Sequence, residues 1–152
     1  MISVIVATLN SAVSLQTLLP PLVPAAVDGL VREVIAADGG STDATLEICE
    51  DAGVKVVTGG LLAATAAARS GRVLILPEGL AFSGDWQDRL RAHLISGGGS
   101  ALVAGARASG LLARLQPQAL GLLIDRARLA EGGDTRDVAE LVRRHRRGAK
   151  RI

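Results

Sequence analysis

Aromatic residues are almost missing from this chain: Phe82 and Trp86 are the only two, and there is no tyrosine. Proteins that grip single-stranded nucleic acid stack bases on several exposed rings, so that function loses its main support, and the core must be built from Leu, Val, Ile and Ala. Cysteine is equally scarce. Cys49 stands alone, which excludes an internal disulfide and a thiolate metal cluster and leaves the role of a small buried hydrophobe. Long apolar runs are absent too. Prolines or charges interrupt every candidate span, and the chain enters Ile2 without a basic leader. Neither a signal peptide nor a membrane helix is expected, and a reducing cytoplasm fits best. Two phosphate-binding signatures are also lacking. There is no Gly-rich loop closing on Lys and Ser or Thr, and no Gly-X-Gly-X-X-Gly after the first strand, which instead opens into "ATLNS". ATP hydrolysis and dinucleotide redox chemistry are disfavoured accordingly.

The chain has 152 residues, 49% of them hydrophobic, enough for one domain with a substantial core. Apolar strand-like runs at 2–7, 33–37, 54–58 and 73–76 alternate with helix-like stretches at 11–19, 42–51 and 61–70. Pro20, Pro21 and Pro24 break up the segment after the first helix, Gly53 and Gly71 end the next two, and Pro77 closes the fourth strand. Trp86, Leu90 and Leu94 recur at helical spacing before the break at Gly97–Gly99. Further strand-like segments lie at 101–106 and 120–124, and a last helix starts near Asp134. Such βα alternation predicts an α/β protein with a doubly wound, mostly parallel sheet and helices on both faces.

The net charge of +2 hides an asymmetry. Residues 143–152 carry Arg143, Arg144, Arg146, Arg147, Lys150 and Arg151 and no acid, so the first 142 residues sum to −4. A solvated helix face and a contact with an anionic membrane surface or lipid-linked acceptor both fit the run. Nucleic acid fits less well, because no reading motif surrounds it.

The most informative stretch is "VIAADGGSTDAT" at 34–45. An uncharged run ends in Asp38, two glycines permit a sharp turn, and Ser41, Thr42 and Asp43 are good caps for a following helix. In an open parallel sheet such a junction lies where ligands bind and helix N-termini meet anions. An acid that merely caps the helix fits the same residues.

Together with "ISVIVATLN" at 2–10, this stretch resembles the start of family 2 glycosyltransferases of the GT-A type. "LAATAAARSGRVLIL" at 62–76 is similar to that family's helix and fourth strand. "LGLLIDRARLAEGG" at 120–133 and "VAELVRRHRRGAKRI" at 138–152 resemble its later strand and its last Arg-rich helix. The resemblance implies a nucleotide-binding half over 1–79 and a shortened acceptor half over 80–152 with a basic C-terminal helix. It implies a nucleotide-diphosphate sugar of the UDP or GDP type as partner. Ala7, Thr8, Asn10 and Gly39 would line the nucleotide, and Asp38 would accept a hydrogen bond from a ring N–H of the base.

The catalytic motifs depart from the family pattern. Where the family has Asp-X-Asp holding a divalent metal on the diphosphate, this chain has Pro77-Glu78-Gly79, so Glu78 alone would meet a magnesium or manganese ion. The family's general base falls on Val138. Asp137 or Asp134 would have to substitute, and either also suits a helix cap. Two functions follow: a weakly active glycosyltransferase with an unidentified acceptor, or a non-catalytic nucleotide- or protein-binding domain.

Overall fold

A computed structural model describes residues 1–106, 118–130 and 137–152. The elements run β1 (Ile2–Thr8), α1 (Ala12–Leu18), α2 (Leu22–Val27), β2 (Val31–Asp38), α3 (Thr45–Asp51), β3 (Lys55–Thr58), α4 (Gly60–Ala67), β4 (Arg72–Pro77), α5 (Trp86–Ile95), β5 (Ala101–Ala104), β6 (Leu120–Asp125), α6 (Arg126–Ala130), α7 (Val138–His145) and β7 (Lys150–Arg151). The seven strands form one sheet in the order β3-β2-β1-β4-β6-β5-β7. The first four are parallel, and β6 runs antiparallel to both β4 and β5.

The runs of β1 and β4 become strands buried on both faces, which also explains why they do not alternate with polar residues, whereas the edge strand β3 is largely exposed. Ile2, Val4, Val6, Leu74 and Leu76 point to one face and pack with Leu15, Leu18, Leu22, Cys49, Trp86 and Leu90 from α1, α2, α3 and α5. Ile5, Val73 and Ile75 point to the other and pack with Leu61, Ala64, Leu129, Leu141 and Val142 from α4, α6 and α7. Side chains one residue apart therefore serve opposite cores, the geometry a β-strand imposes. The two rings of the chain meet each other, Phe82 stacking on Trp86 with centroids 4.2 Å apart.

Two helices end in the same device. In α2 and α3 the residue after the cap is a glycine in the left-handed region, Gly29 (φ +70°) and Gly53 (φ +66°). Val54 N–H donates to Cys49 O at 2.8 Å and Gly53 N–H to Glu50 O at 3.0 Å, with the equivalent pair from Leu30 and Gly29 closing α2. These are Schellman turns, and each aims the chain into the next strand.

Two expectations need correction. Pro24 does not break the chain but sits third in α2, where its missing N–H had no intrahelical acceptor anyway. The basic C-terminal stretch is not one helix. α7 ends at His145, Gly148 turns at φ +86°, and Lys150–Arg151 pair as a parallel edge strand on Ala101–Leu102. Ile152 N–H donates to Leu102 O at 2.9 Å, so the backbone satisfaction available at the sheet edge outweighs helix continuation.

Gly121 on β6 faces the tightest packing of the sheet: an added Cβ would lie 2.6 Å from Leu76 Cδ2 and 3.1 Å from Ile75 O. Leu76 is fully buried and has no room to yield. Gly121→Ala is expected to destabilise the fold by about 1–3 kcal/mol, measured as a lowered midpoint with unchanged slope in urea unfolding; a neutral result would show that the sheet adjusts at this point.

Candidate functional site

Strand order reverses between β1 and β4: the chain moves outward from β1 through β2 to β3, then returns to add β4 on the other side of β1. Such a switch point leaves a crevice at the carboxyl ends of the strands. Here it is a cavity of about 320 Å³ lined by Ala7, Thr8 and Leu9 after β1, Ala37, Asp38 and Gly39 after β2, Gly60 and Leu61 opening α4, Pro77 and Glu78 ending β4, and Asp137, Val138 and Ala139 opening α7. Register fixes the floor, since Thr8 lies beside Asp38 and Ala7 beside Pro77. Five chain segments meet there.

Asp38 is 4% exposed, and both of its oxygens are engaged. Gly40 N–H (2.8 Å) and Ser41 N–H (2.9 Å) donate to Oδ2. The hydroxyls of Ser41 (2.5 Å) and Thr8 (3.1 Å) donate to Oδ1. Burial pushes the carboxyl up, but the Ser41 hydroxyl, the two backbone donors and Thr8 outweigh it and hold Asp38 below the ordinary aspartate range. Burial, helped by the charge of Asp38, pushes the buried Cys49 thiol up, which makes it unreactive.

The loops after β1 and β2 are laced together. Asn10 N–H donates to Ser41 Oγ (2.9 Å), Thr42 N–H to Asn10 Oδ1 (2.8 Å), and Ser11 N–H to Thr45 Oγ1 (2.7 Å). Asp43 receives Ala12 N–H (3.2 Å) and the Thr45 hydroxyl (2.5 Å). Hydrogen bonds to Thr45 hold its carboxyl below the usual range. Leu9 N–H donates to Ser11 Oγ (2.9 Å), and the Ser11 hydroxyl donates in turn to Glu78 Oε2. One buried serine thus ties the end of β1 to the end of β4.

Of the residues singled out from the sequence, Ala7, Thr8, Asp38, Gly39, Glu78 and Asp137 all line the crevice. Asn10 does not. It is exposed, in the left-handed region at φ 52°, and its side chain holds the neighbouring loop. Asp134 lies outside the described residues. Asp137 caps α7, its Oδ1 accepting from Ala139 N–H at 2.8 Å, while Oδ2 stands 3.9 Å from Arg143. Val138 is buried beside it. Gly60, Leu61 and Ala139 belong to the lining without having been singled out. The double glycine at 59–60 ahead of an apolar run is the signal that marks the start of α4.

The basic run is dispersed. Arg144 pairs with Glu140 at 2.7 Å on α7, and Arg151 donates to Gln118 from the edge strand. Burial and the nearby Arg144 and Arg128 push His145 down. Among the described residues no helix is long and apolar enough to cross a membrane.

A divalent cation is poorly served by the side chains of this crevice. Among the described residues no three His, Cys, Asp or Glu side chains are placed to hold one metal ion together. Asp38 is filled by four donors, Asp137 caps a helix, and Pro77 and Gly79 offer no ligating side chain. Glu78 remains, itself bonded by Ser11. Magnesium sites use one or two carboxylates plus the ligand's own phosphates, and these residues do not form a protein-held centre.

No protein-family model matches the chain, and no curated protein matches it in sequence. Solved structures do match in shape. Glucosyl-3-phosphoglycerate synthase from Mycobacterium tuberculosis, in complex with Mg2+ and UDP, aligns with a TM-score of 0.71 and 22% identity over 100% of this chain and 68% of its own. The same synthase with Mn2+, UDP-glucose and phosphoglyceric acid gives 0.70 and 23% over 100% and 69%. With Mn2+, UDP and glucosyl-3-phosphoglycerate it gives 0.69 and 23% over the same shares. At these identities the likeness is one of fold, and the fold is the GT-A, nucleotide-diphospho-sugar transferase-like architecture.

Because the folded state keeps Asp38 below its unfolded pKa of about 3.9, its stabilisation is complete above that value and is lost as pH falls below it. Asp38→Asn is expected to cost on the order of 1.5–3 kcal/mol at pH 7 and much less at pH 3, measured by urea unfolding at both. An equal cost at both pH values would mean that the negative charge is not what the four donors stabilise.

Proposed function

We propose that the crevice binds a nucleotide-diphosphate sugar of the UDP or GDP type and that the chain transfers the sugar, slowly, to an acceptor hydroxyl. The observation that carries the reading is the convergence of Ala7, Thr8, Asp38, Gly39, Glu78 and Asp137 on one cavity at the switch point. Its volume of about 320 Å³ falls at the lower end of the range for small-ligand sites, roughly 300–1,000 Å³. The shared fold of a synthase whose complexes hold UDP or UDP-glucose supports the same choice of ligand.

Among the described residues three carboxylates and no lysine or arginine line the crevice, so a diphosphate needs another source of positive potential. Two helix N-termini supply it. α4 opens at Gly60 with no side-chain cap, and α7 opens at Val138, and N–H groups at such ends favour anions. Asp137 cancels part of that potential at α7, which leaves α4 as the better seat for the phosphates.

In the transfer, the acceptor oxygen forms a bond to the anomeric carbon while the bond from that carbon to the diphosphate oxygen breaks. The diphosphate leaves with the electron pair, and a carboxylate takes the acceptor proton. Asp137 is the candidate among the described residues because it lines the crevice at the start of α7; Asp134 is proposed only as its alternate. With a single carboxylate at the end of β4, leaving-group stabilisation is weak. The expected outcome is nucleotide binding with feeble turnover, or a binding domain without turnover.

Asp137→Asn separates the roles, since Asn still caps a helix but cannot take a proton. Calorimetry with UDP and mass-spectrometric turnover of a sugar-nucleotide panel should show unchanged affinity and transfer reduced about 10²- to 10⁴-fold. Absence of any nucleoside-diphosphate binding at millimolar concentration would overturn the binding reading; full turnover in the variant would overturn Asp137 as base.

A further inference from the structure

We propose that the Ser41 hydroxyl is a latch: it occupies the acceptor position on Asp38 that a base ring N–H would take, and must swing away before a nucleotide base can be read. The inference rests on the nucleotide reading of the crevice and adds a residue that sets its selectivity.

A carboxylate offers about four acceptor positions, and Asp38 receives four donors. A ring N–H entering the crevice therefore finds no vacancy. One donor has to leave, and the four are not equally free. Gly40 N–H and Ser41 N–H belong to the turn that carries the chain from β2 toward α3, and losing either would unwind it. The Thr8 hydroxyl sits on the last residue of β1, 3% exposed, on a β-branched side chain with little χ1 freedom. Ser41 is only half-buried and unbranched, so a χ1 rotation about one bond takes its hydroxyl off Oδ1 with the backbone in place.

Rotation has a second effect. Ser41 Oγ also accepts the Asn10 N–H at 2.9 Å, and Asn10 sits in the left-handed region at φ 52°, which asparagine tolerates better than other side chains. Releasing the latch frees that N–H and leaves the loop after β1 tied to the next by Thr42, Asp43 and Thr45. Reading the base is thereby coupled to loosening the loop that carries Leu9 into the crevice.

The latch makes a discrimination measurement decisive. Uridine diphosphate has a ring N–H; N3-methyluridine diphosphate replaces it with a methyl group. In the unmodified protein the hydroxyl competes with the N–H, so the two ligands should differ little. Ser41→Ala removes the competitor, and calorimetry should show UDP affinity rising roughly five- to tenfold with the methylated ligand unchanged. Ser41→Thr, which keeps the hydroxyl on a stiffer β-branched side chain, should show no gain in UDP affinity, and Ser41→Gly should repeat the alanine result. Binding of UDP only after Ser41→Ala would also support the latch. If the unmodified protein binds UDP and neither small variant widens its preference over the methylated ligand, the latch is wrong while the crevice reading stands. If no form binds either nucleotide at millimolar concentration, both are wrong.

Discussion

A buried carboxylate with no cation beside it among the described residues constrains everything at this end of the molecule. Desolvating a charge in an apolar interior is costly unless hydrogen bonds replace the lost water. Among the described residues no lysine or arginine lines the crevice around Asp38, and the compensation they provide comes from dipoles. The chain supplies them from two places, the turn at Gly40–Ser41 and the hydroxyl at the end of β1. Meeting that demand fixes the β2–α3 turn, brings it against the β1–α1 loop through Ser41 and Asn10, and so sets the shape of one wall of the cavity. The sharp turn at the glycines serves a single buried acid.

The opposite wall obeys a different rule. It is made of helix starts, with Gly60 and Leu61 on one side and Asp137, Val138 and Ala139 on the other. Asp38 on one wall is suited to an N–H donor once Ser41 leaves it, and the uncapped α4 N-terminus on the other is suited to anions. A nucleoside diphosphate has both kinds of group at opposite ends. The weakness lies between the walls, where Pro77-Glu78-Gly79 presents one carboxylate and Ser11 already bonds it. Binding chemistry is therefore better provided than leaving-group chemistry.

The strands were legible because buried parallel strands write themselves as uncharged runs, and 2–7, 33–37 and 73–76 sit inside β1, β2 and β4. Helix α5 was legible through Trp86 and Leu90, both buried at four-residue spacing. What pattern could not reveal was non-local. Pairing of Lys150–Arg151 with β5 depends on a sheet edge about a third of the chain away in sequence, so the basic run reads as a continuing helix until its glycine turns. Pro24 reads as a breaker because sequence does not show that it falls in a first turn. At the site, residue type marked Asp38 and Glu78 as acceptors, but only geometry shows their occupancy. Asn10 was assigned to the lining by the family resemblance, whereas its side chain holds the neighbouring loop at Thr42.

The central claim is that separate chain segments form one nucleotide site, and backbone amide NMR during a UDP titration tests it most directly. The account expects the amides of Leu9, Gly39, Leu61 and Ala139 to shift together along one binding curve, while those of the far face, such as Leu18 and Leu90, stay in place. Shifts confined to the basic residues 143–151, or separate curves for the four segments, would contradict it.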